Sequence, residues 1–409
     1  MHQPEYRWTR ISGGPRLAVA TLPQSECAAL SIHIPAGSRD EDGLPAGLAH
    51  FVEHMVFKGT KRRGAKEISF DIENCGGQIN ACTSEDQTVY DARAEAGNLE
   101  ILADVLCDMV WNPVFPEPEI DLERDVIAEE ITMYRESPSD HIGDMISAAL
   151  WGSHPLGNAI SGNHRSIARI RRPHLTDFVS RHHFRDDLVI AAAGNFTLEE
   201  VLETIRPHVP EGFHAGFPAL PFDPASITPG NLREERGSDQ LQLALAWHAP
   251  GRHSEMRHAL RVLSILLGES SSSRLFLELR EERGLCYQIS TDVTFLHETG
   301  AFEISAGLAH DAREESLDCI FRHIRHLCMH EPSEEETERA KRIAISQSKI
   351  AFESTAAHAS WAGESMLDLD RVPHPAEWRE KILGVSRAGI LEAARLVFDG
   401  KTHAVAEIS

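Results

Sequence analysis

Two histidines and a glutamate fall within five residues, His50-Phe51-Val52-Glu53-His54. On an α-helix, His50 and His54 are four positions apart and lie one turn from each other on a single face. Two imidazoles placed this way can grip one zinc ion. Glu53 adjoins His54 and stands three positions from His50, so its carboxylate borders the same place. A base there is positioned to take a proton from a water that the metal acidifies. The order H-x-x-E-H inverts the common zincin H-E-x-x-H. In a chain with 23 histidines such a run also arises by chance, so its flanks decide. Leu48, Phe51, Val52, Met55 and Val56 are apolar at helical spacing, which predicts a helix packed into a core, with Gly59 as its stop.

A catalytic zinc needs three protein ligands and an open position. The strongest source of the third is DLERDVIAEEITMYRES, residues 121–137, where Val126, Ile127, Ile131 and Met133 suggest an amphipathic helix. Glu130 lies 76 residues after His54, and Glu123 precedes it by seven, returning to the same helical face. One carboxylate would ligate and the other would orient or charge the site. Glu129 competes but points about 100° away around the helix. A solvated, charged helix is the alternative for any one of these glutamates.

At these residues the chain resembles the pitrilysin/insulinase group of zinc peptidases, above all its short members, the mitochondrial processing peptidases and their bacterial relatives. The resemblance implies that His50, His54 and Glu130 hold one zinc ion per chain, with Glu53 as general base and Glu123 as accessory acid. CGGQINACTSEDQTVYDA, residues 75–92, resembles the family's substrate-pairing edge strand, which implies that Asn80, Ala81 and Cys82 bind peptide. HPLGNAISG and AAAGNF resemble further landmarks. SSSSRLFLELREERGLCYQIS, residues 270–290, resembles the segment that supplies an Arg and a Tyr to the reaction, here Arg280 and Tyr287. The resemblance spans residues from about 10 to about 350 and is weakest in the C-terminal tail. It implies a clamshell of four α+β units, of which this chain supplies two. A homodimer follows, with a heterodimer of related subunits as the alternative, and with Arg280 and Tyr287 facing the partner's zinc.

Composition bounds the rest. At 409 residues the chain exceeds one ordinary core. Its 40 basic and 63 acidic residues give a net charge of −23, which argues against a nucleic-acid role. The charge serves solubility, or more sharply an acidic interior that draws basic unfolded peptides. No stretch approaches the roughly 20 apolar residues of a membrane span. The first residues read as neither a signal nor a transit peptide, which points to the cytoplasm. Seven scattered cysteines without a C-x-x-C fit reduced thiols there.

The elements that must position the motif read as α+β. RLAVATL and CAALSIHIPAG form strands ahead of the motif helix. A short helix at 66–74, strands within 77–93, a helix near 97–111 and helical turns at 139–151 and 173–183 precede the strand DDLVIAAAGNF. A Pro- and Gly-rich linker at 216–231 divides a zinc-bearing domain, 1–215, from a second domain, 232–409. In that second half QLQLALAWHAP, the helix MRHALRVLSILLGES and the strand pair YQISTDVTFL and GAFEISAGLA repeat the plan. Two homologous α+β domains are expected, each a mainly antiparallel sheet with helices packed on it, the chemistry being kept in the first.

His323, His326 and His330 share one face of a predicted helix. Lacking an acidic partner in the sequence, they read as a solvated basic helix. His141, His182 and His183 have no evident partner. The function expected is a zinc endopeptidase acting on unfolded peptides. The alternative is a non-catalytic scaffold or regulatory subunit of the same fold.

Overall fold

A computed structural model of the chain describes residues 3–41, 43–216, 222 and 227–409. Most of the expected linker at 216–231 lies outside the described residues. Eleven described strands form two open sheets. In chain order they are β1 (Glu5–Arg10), β2 (Arg16–Thr21), β3 (Cys27–Ile34), β4 (Gln78–Thr83), β5 (Thr88–Glu95), β6 (Val189–Gly194), β7 (Asn231–Glu234), β8 (Leu241–Pro250), β9 (Cys286–Phe295), β10 (Thr299–Leu308) and β11 (Ala404–Ile408). The first sheet is ordered β1-β2-β6-β3-β5-β4 and the second β7-β11-β8-β10-β9. Neighbours are antiparallel except β2 with β6 and β7 with β11. With β1 set aside, the two sheets share one plan. In each, the first strand lies parallel to the last, the second pairs with the last and the fourth, and the third and fourth close a hairpin at the far edge.

The chain divides into two compact units that are not continuous in sequence. One comprises 1–131, 159–220 and 351–375, and the other 132–158, 221–350 and 376–409. The reason is an exchange of helices. Thr355–Leu369 follows β10 in the chain yet lies on β2, β3 and β6 in the first unit. Its Ala359, Ala362 and Met366 bury against Ala18, Ala20, Ala29 and Ala191. Pro138–Trp151, helical as the sequence predicts, lies instead on β8 and β11 in the second unit. There Ile142, Ile146 and Ala149 meet Ala244, Ala246, Ala404 and Ala406.

Alanines let each helix seat close to its sheet. At Gly363 a Cβ would come within 2.1 Å of His33 Nε2, so only glycine fits there. Helices on both faces explain why β2 and β6 read as unbroken apolar runs rather than alternating ones. Arg16 fastens the end of the exchanged helix, donating to the Met366 carbonyl at 2.9 Å and to Asp370 and the Asp187 carbonyl.

The motif helix, Leu48–Val56, stops at Val56, slightly before Gly59. It packs against helix Arg172–His182 and β4. Leu48, Ala49, Phe51, Val52, Met55 and Val56 are all buried, and only His50, Glu53 and His54 keep part of their surface. Gly47 begins the helix at φ +90°, and a Cβ there would lie 2.5 Å from the Ser161 carbonyl oxygen. Ser161 and Gly162, the end of HPLGNAISG, thus clasp the helix start at backbone distance.

Gly47 has no side chain to cap the helix, and buried Glu41 does so from outside. Its carboxylate accepts from the Ala49 N–H at 3.0 Å, and also from Gly47 and Leu48. Burial pushes its carboxyl up to about 8, against the pull of those bonds. An exposed glutamate ionises near 4.5. Between these values the folded chain keeps a proton that the unfolded chain has lost. The stabilisation is therefore complete below about 4.5 and disappears as pH rises through about 8. Relative to Glu41→Gln, the wild-type unfolding free energy should decline across that window. Urea denaturation of both proteins with a chelator present measures this, and a pH-independent difference would refute it.

Candidate metal centre

His50, His54 and Glu130 each offer a donor atom, and the three lie within 4.8 Å of one another. Glu130 Oε2 is 3.9 Å from His50 Nε2 and 3.6 Å from His54 Nε2. Both separations exceed a hydrogen bond. They approach the spacing of about 3.3 Å expected between ligands at zinc bond lengths. Two imidazoles and a carboxylate thus converge without bonding to each other, as a shared cation requires. Burial, then the neighbouring His54, brings His50 down to about 4, so its imidazole is neutral and free to ligate at neutral pH. The donor set fits zinc.

Glu130 and Glu123 come from one helix, Glu117–Glu136. Its Ile120, Ile127 and Ile131 are buried, whereas Val126 and Met133, read from the sequence as part of the same apolar face, are exposed. Glu129 is exposed as well. Glu123 is only 5% exposed and lies outside the three convergent donors. It accepts from His54 Nδ1 at 2.8 Å, which leaves the Nε2 lone pair for the metal. Its other oxygen meets Lys58 Nζ at 2.5 Å. Burial raises the Glu123 carboxyl, but the bonds from His54 and Lys58 outweigh it and hold the group below the usual range.

Glu53 accepts a hydrogen bond from Thr83 Oγ1. Burial raises its affinity for a proton, Thr83 and His54 offset part of that, and Glu130 adds to it. Thr83 belongs to β4, whose outer edge pairs with no other described strand. On that edge strand Asn80 and Cys82 are exposed, while Ala81 turns towards the core. Burial and then the Glu53 charge push the Cys82 thiol up, so it is not an activated nucleophile.

The turn after the motif helix is pinned by buried Asp108. It takes hydrogen bonds from Thr60 at 2.6 Å and Arg63 at 3.0 Å and an ion pair from Arg62 at 3.2 Å. His183 has a structural role, bonding through Nδ1 to the Val110 carbonyl while the Trp111 indole N–H donates to the His183 carbonyl.

Arg280 and Tyr287 belong to the second unit. Arg280 lies in a π-helical segment, Phe276–Glu282, with its guanidinium 4.8 Å above the Phe276 ring. Gly284, at φ +63°, turns the chain into β9, where Tyr287 is 65% exposed. Thr83 and Lys58, which contact Glu53 and Glu123 respectively, lie outside the H-x-x-E-H motif. Lys58 stands four positions after His54 but past the helix end at Val56, so helical spacing alone does not place it beside Glu123.

Fold and site together define an α+β protein built from two like halves, with an inverted zinc-peptidase motif on a buried helix of the first. Residues 16–164 match the insulinase (peptidase family M16) model, and residues 169–344 match the model described as the peptidase M16 inactive domain. The chain belongs to this M16 family. An uncharacterized zinc protease of Mycobacterium leprae is 36% identical over 304 residues, covering 73% of this chain and 68% of that protein. One from Streptomyces coelicolor is 31% identical over 368 residues, covering 88% and 80%. The crystal structure of a protease from Helicobacter pylori shares the fold, with a TM-score of 0.92 at 21% identity over 100% of both chains. No described helix is long and apolar enough to cross a membrane.

Lys58→Met should leave Glu123 without its second partner and weaken zinc binding about tenfold or more, whereas Lys58→Arg should retain most of it. Competition with a chromophoric chelator reads the affinity directly. Equal affinities for wild type and Lys58→Met would remove Lys58 from the site.

Proposed function

We propose that the protein is a zinc-dependent endopeptidase that hydrolyses unfolded peptides. The observation that carries this reading is Glu53, held by Thr83 beside the convergent His50, His54 and Glu130. Those three would hold one zinc ion per chain. Bound zinc supplies Lewis acidity, acidifying a water and polarising the scissile carbonyl. Glu53 takes the attacking water's proton and returns it to the leaving amine. Its raised proton affinity suits that exchange. Thr83 fixes the carboxylate's direction, and Glu123 with Lys58 fixes the ring of His54. The peptide adds as a strand along Asn80, Ala81 and Cys82 through backbone bonds, so it must be unfolded and its side chains are read weakly.

Arg280 and Tyr287 are assigned to the substrate carbonyl and the developing oxyanion. They act in a homodimer, each pair serving the partner's site. This assignment rests on the family resemblance and on the exposure of Tyr287.

Glu53→Gln should lower the cleavage rate of a long, basic, unstructured peptide at least about 100-fold, with zinc content unchanged. Absence of cleavage by wild type and variant alike, both loaded with zinc, would favour the scaffold-subunit reading. Mixing Glu53→Gln with Tyr287→Phe chains should restore part of the activity. An absence of rescue would reject the shared dimeric site.

A further inference from the structure

The three histidines that share a helical face in the sequence part company in the structure. Their helix is Arg313–Met329, and His330 follows its last turn. His326 meets the Arg274 guanidinium at 3.1 Å, and its ring centroid lies 4.8 Å from that of His330. His323 turns instead to Glu278 and Cys319, and one donor atom from each of these three lies within 4.8 Å of the others. The sequence offered His323 no acidic partner. The π-helical segment supplies one, Glu278, from 45 positions earlier in the chain.

The cluster is well enclosed. Cys319 is 2% exposed, and the side chains of His323 and Glu278 are 15% and 14% exposed. Cys319 and His323 are four apart on one helix, the spacing of His50 and His54, and the carboxylate again comes from a separate element. Arg322 and Arg283 both bind Glu278 Oε1, the second at 2.8 Å. That turns Oε2 towards His323 Nε2, 2.8 Å away. Arg322 also reaches Cys319 Sγ at 3.4 Å, and Arg283 is balanced by Glu315 at 2.8 Å. The guanidiniums therefore take the outer oxygen and the flank of the sulfur, where groups outside a metal's own ligands orient them.

We propose that Cys319, His323 and Glu278 form a second metal site, selective for a borderline-soft divalent ion such as zinc. Binding releases the thiol proton to solvent, shifts the imidazole proton of His323 from Nε2 to Nδ1 by exchange with solvent, and replaces the hydrogen bond between His323 and Glu278 with two metal bonds. The thiolate and carboxylate neutralise the ion's two charges. Its mixed sulfur, nitrogen and oxygen donors suit zinc or cobalt and disfavour magnesium or calcium. The bound ion ties helix Arg313–Met329 to the segment that carries Arg280, within one unit. This assignment is independent of peptidase activity.

Cobalt(II) titration of the full chain tests it. A thiolate ligand gives a near-ultraviolet charge-transfer band that a His/His/Glu site cannot give. The band should bleach on adding zinc, persist in Cys82→Ser, and in His54→Gln, where the first site is disabled, persist and saturate at one equivalent. It should vanish in Cys319→Ser, and His323→Gln should weaken cobalt binding at this band at least tenfold. Should Cys319→Ser fail to fold, the partly exposed His323 decides. No band in the wild type, or a band unaffected by His323→Gln, would overturn the site.

Discussion

The hydrogen bond from His54 Nδ1 to Glu123 joins the two helices that carry the candidate metal ligands. A carboxylate as buried as Glu123 is tolerated only if its charge is met, since desolvating an unpaired ion costs several kcal/mol. His54 meets one oxygen and Lys58 the other, so the same contacts that permit burial also fix the imidazole's tautomer. Because Glu130 lies seven residues further along the same helix, docking Glu123 sets where Glu130 stands. The donor atoms converge because a buried charge elsewhere has been satisfied.

Enclosure of the motif helix makes that geometry rigid. Nearly every position except His50, Glu53 and His54 is packed, its N-terminus is capped by a carboxylate from outside, and its exit turn is tied to Asp108. The corresponding helix after β8, Arg257–Ser264, is also packed but passes into a π-helical turn, Ile265–Glu269, and carries no such motif. Both halves keep the strand plan. In the second, Glu278, Cys319 and His323 gather instead beside the segment that carries Arg280.

The sequence anticipated a good deal of this. H-x-x-E-H, its apolar flanks and the spacing of Glu123 and Glu130 located the candidate site, because helical periodicity converts directly into which side chains share a face. Other features gave little local signal. Val126 and Met133 have the hydrophobicity of core residues but are exposed, since a helix can present two apolar faces and only packing selects one. The exchanged helix Thr355–Leu369 is rich in small residues, and neither it nor the short β11 carries a strong local signal.

By itself, then, the sequence determined the motif helix and which of its side chains share a face, which follow from short-range spacing, while the likeness of the two halves showed in the repeated order of elements and Glu130 as third donor was implied by the family resemblance. Tertiary structure decided which sheet each exchanged helix covers, that Glu123 bonds His54, that Thr83 meets Glu53 and Lys58 meets Glu123, and that His323 faces Glu278 and Cys319. The physical reason is common to all four. Alanine-lined sheet faces accept any helix of suitable size, and a hydrogen bond or ion pair between residues dozens of positions apart leaves no trace in local periodicity. Such partners are selected only when burial of the whole chain makes an unmatched charge too costly to keep.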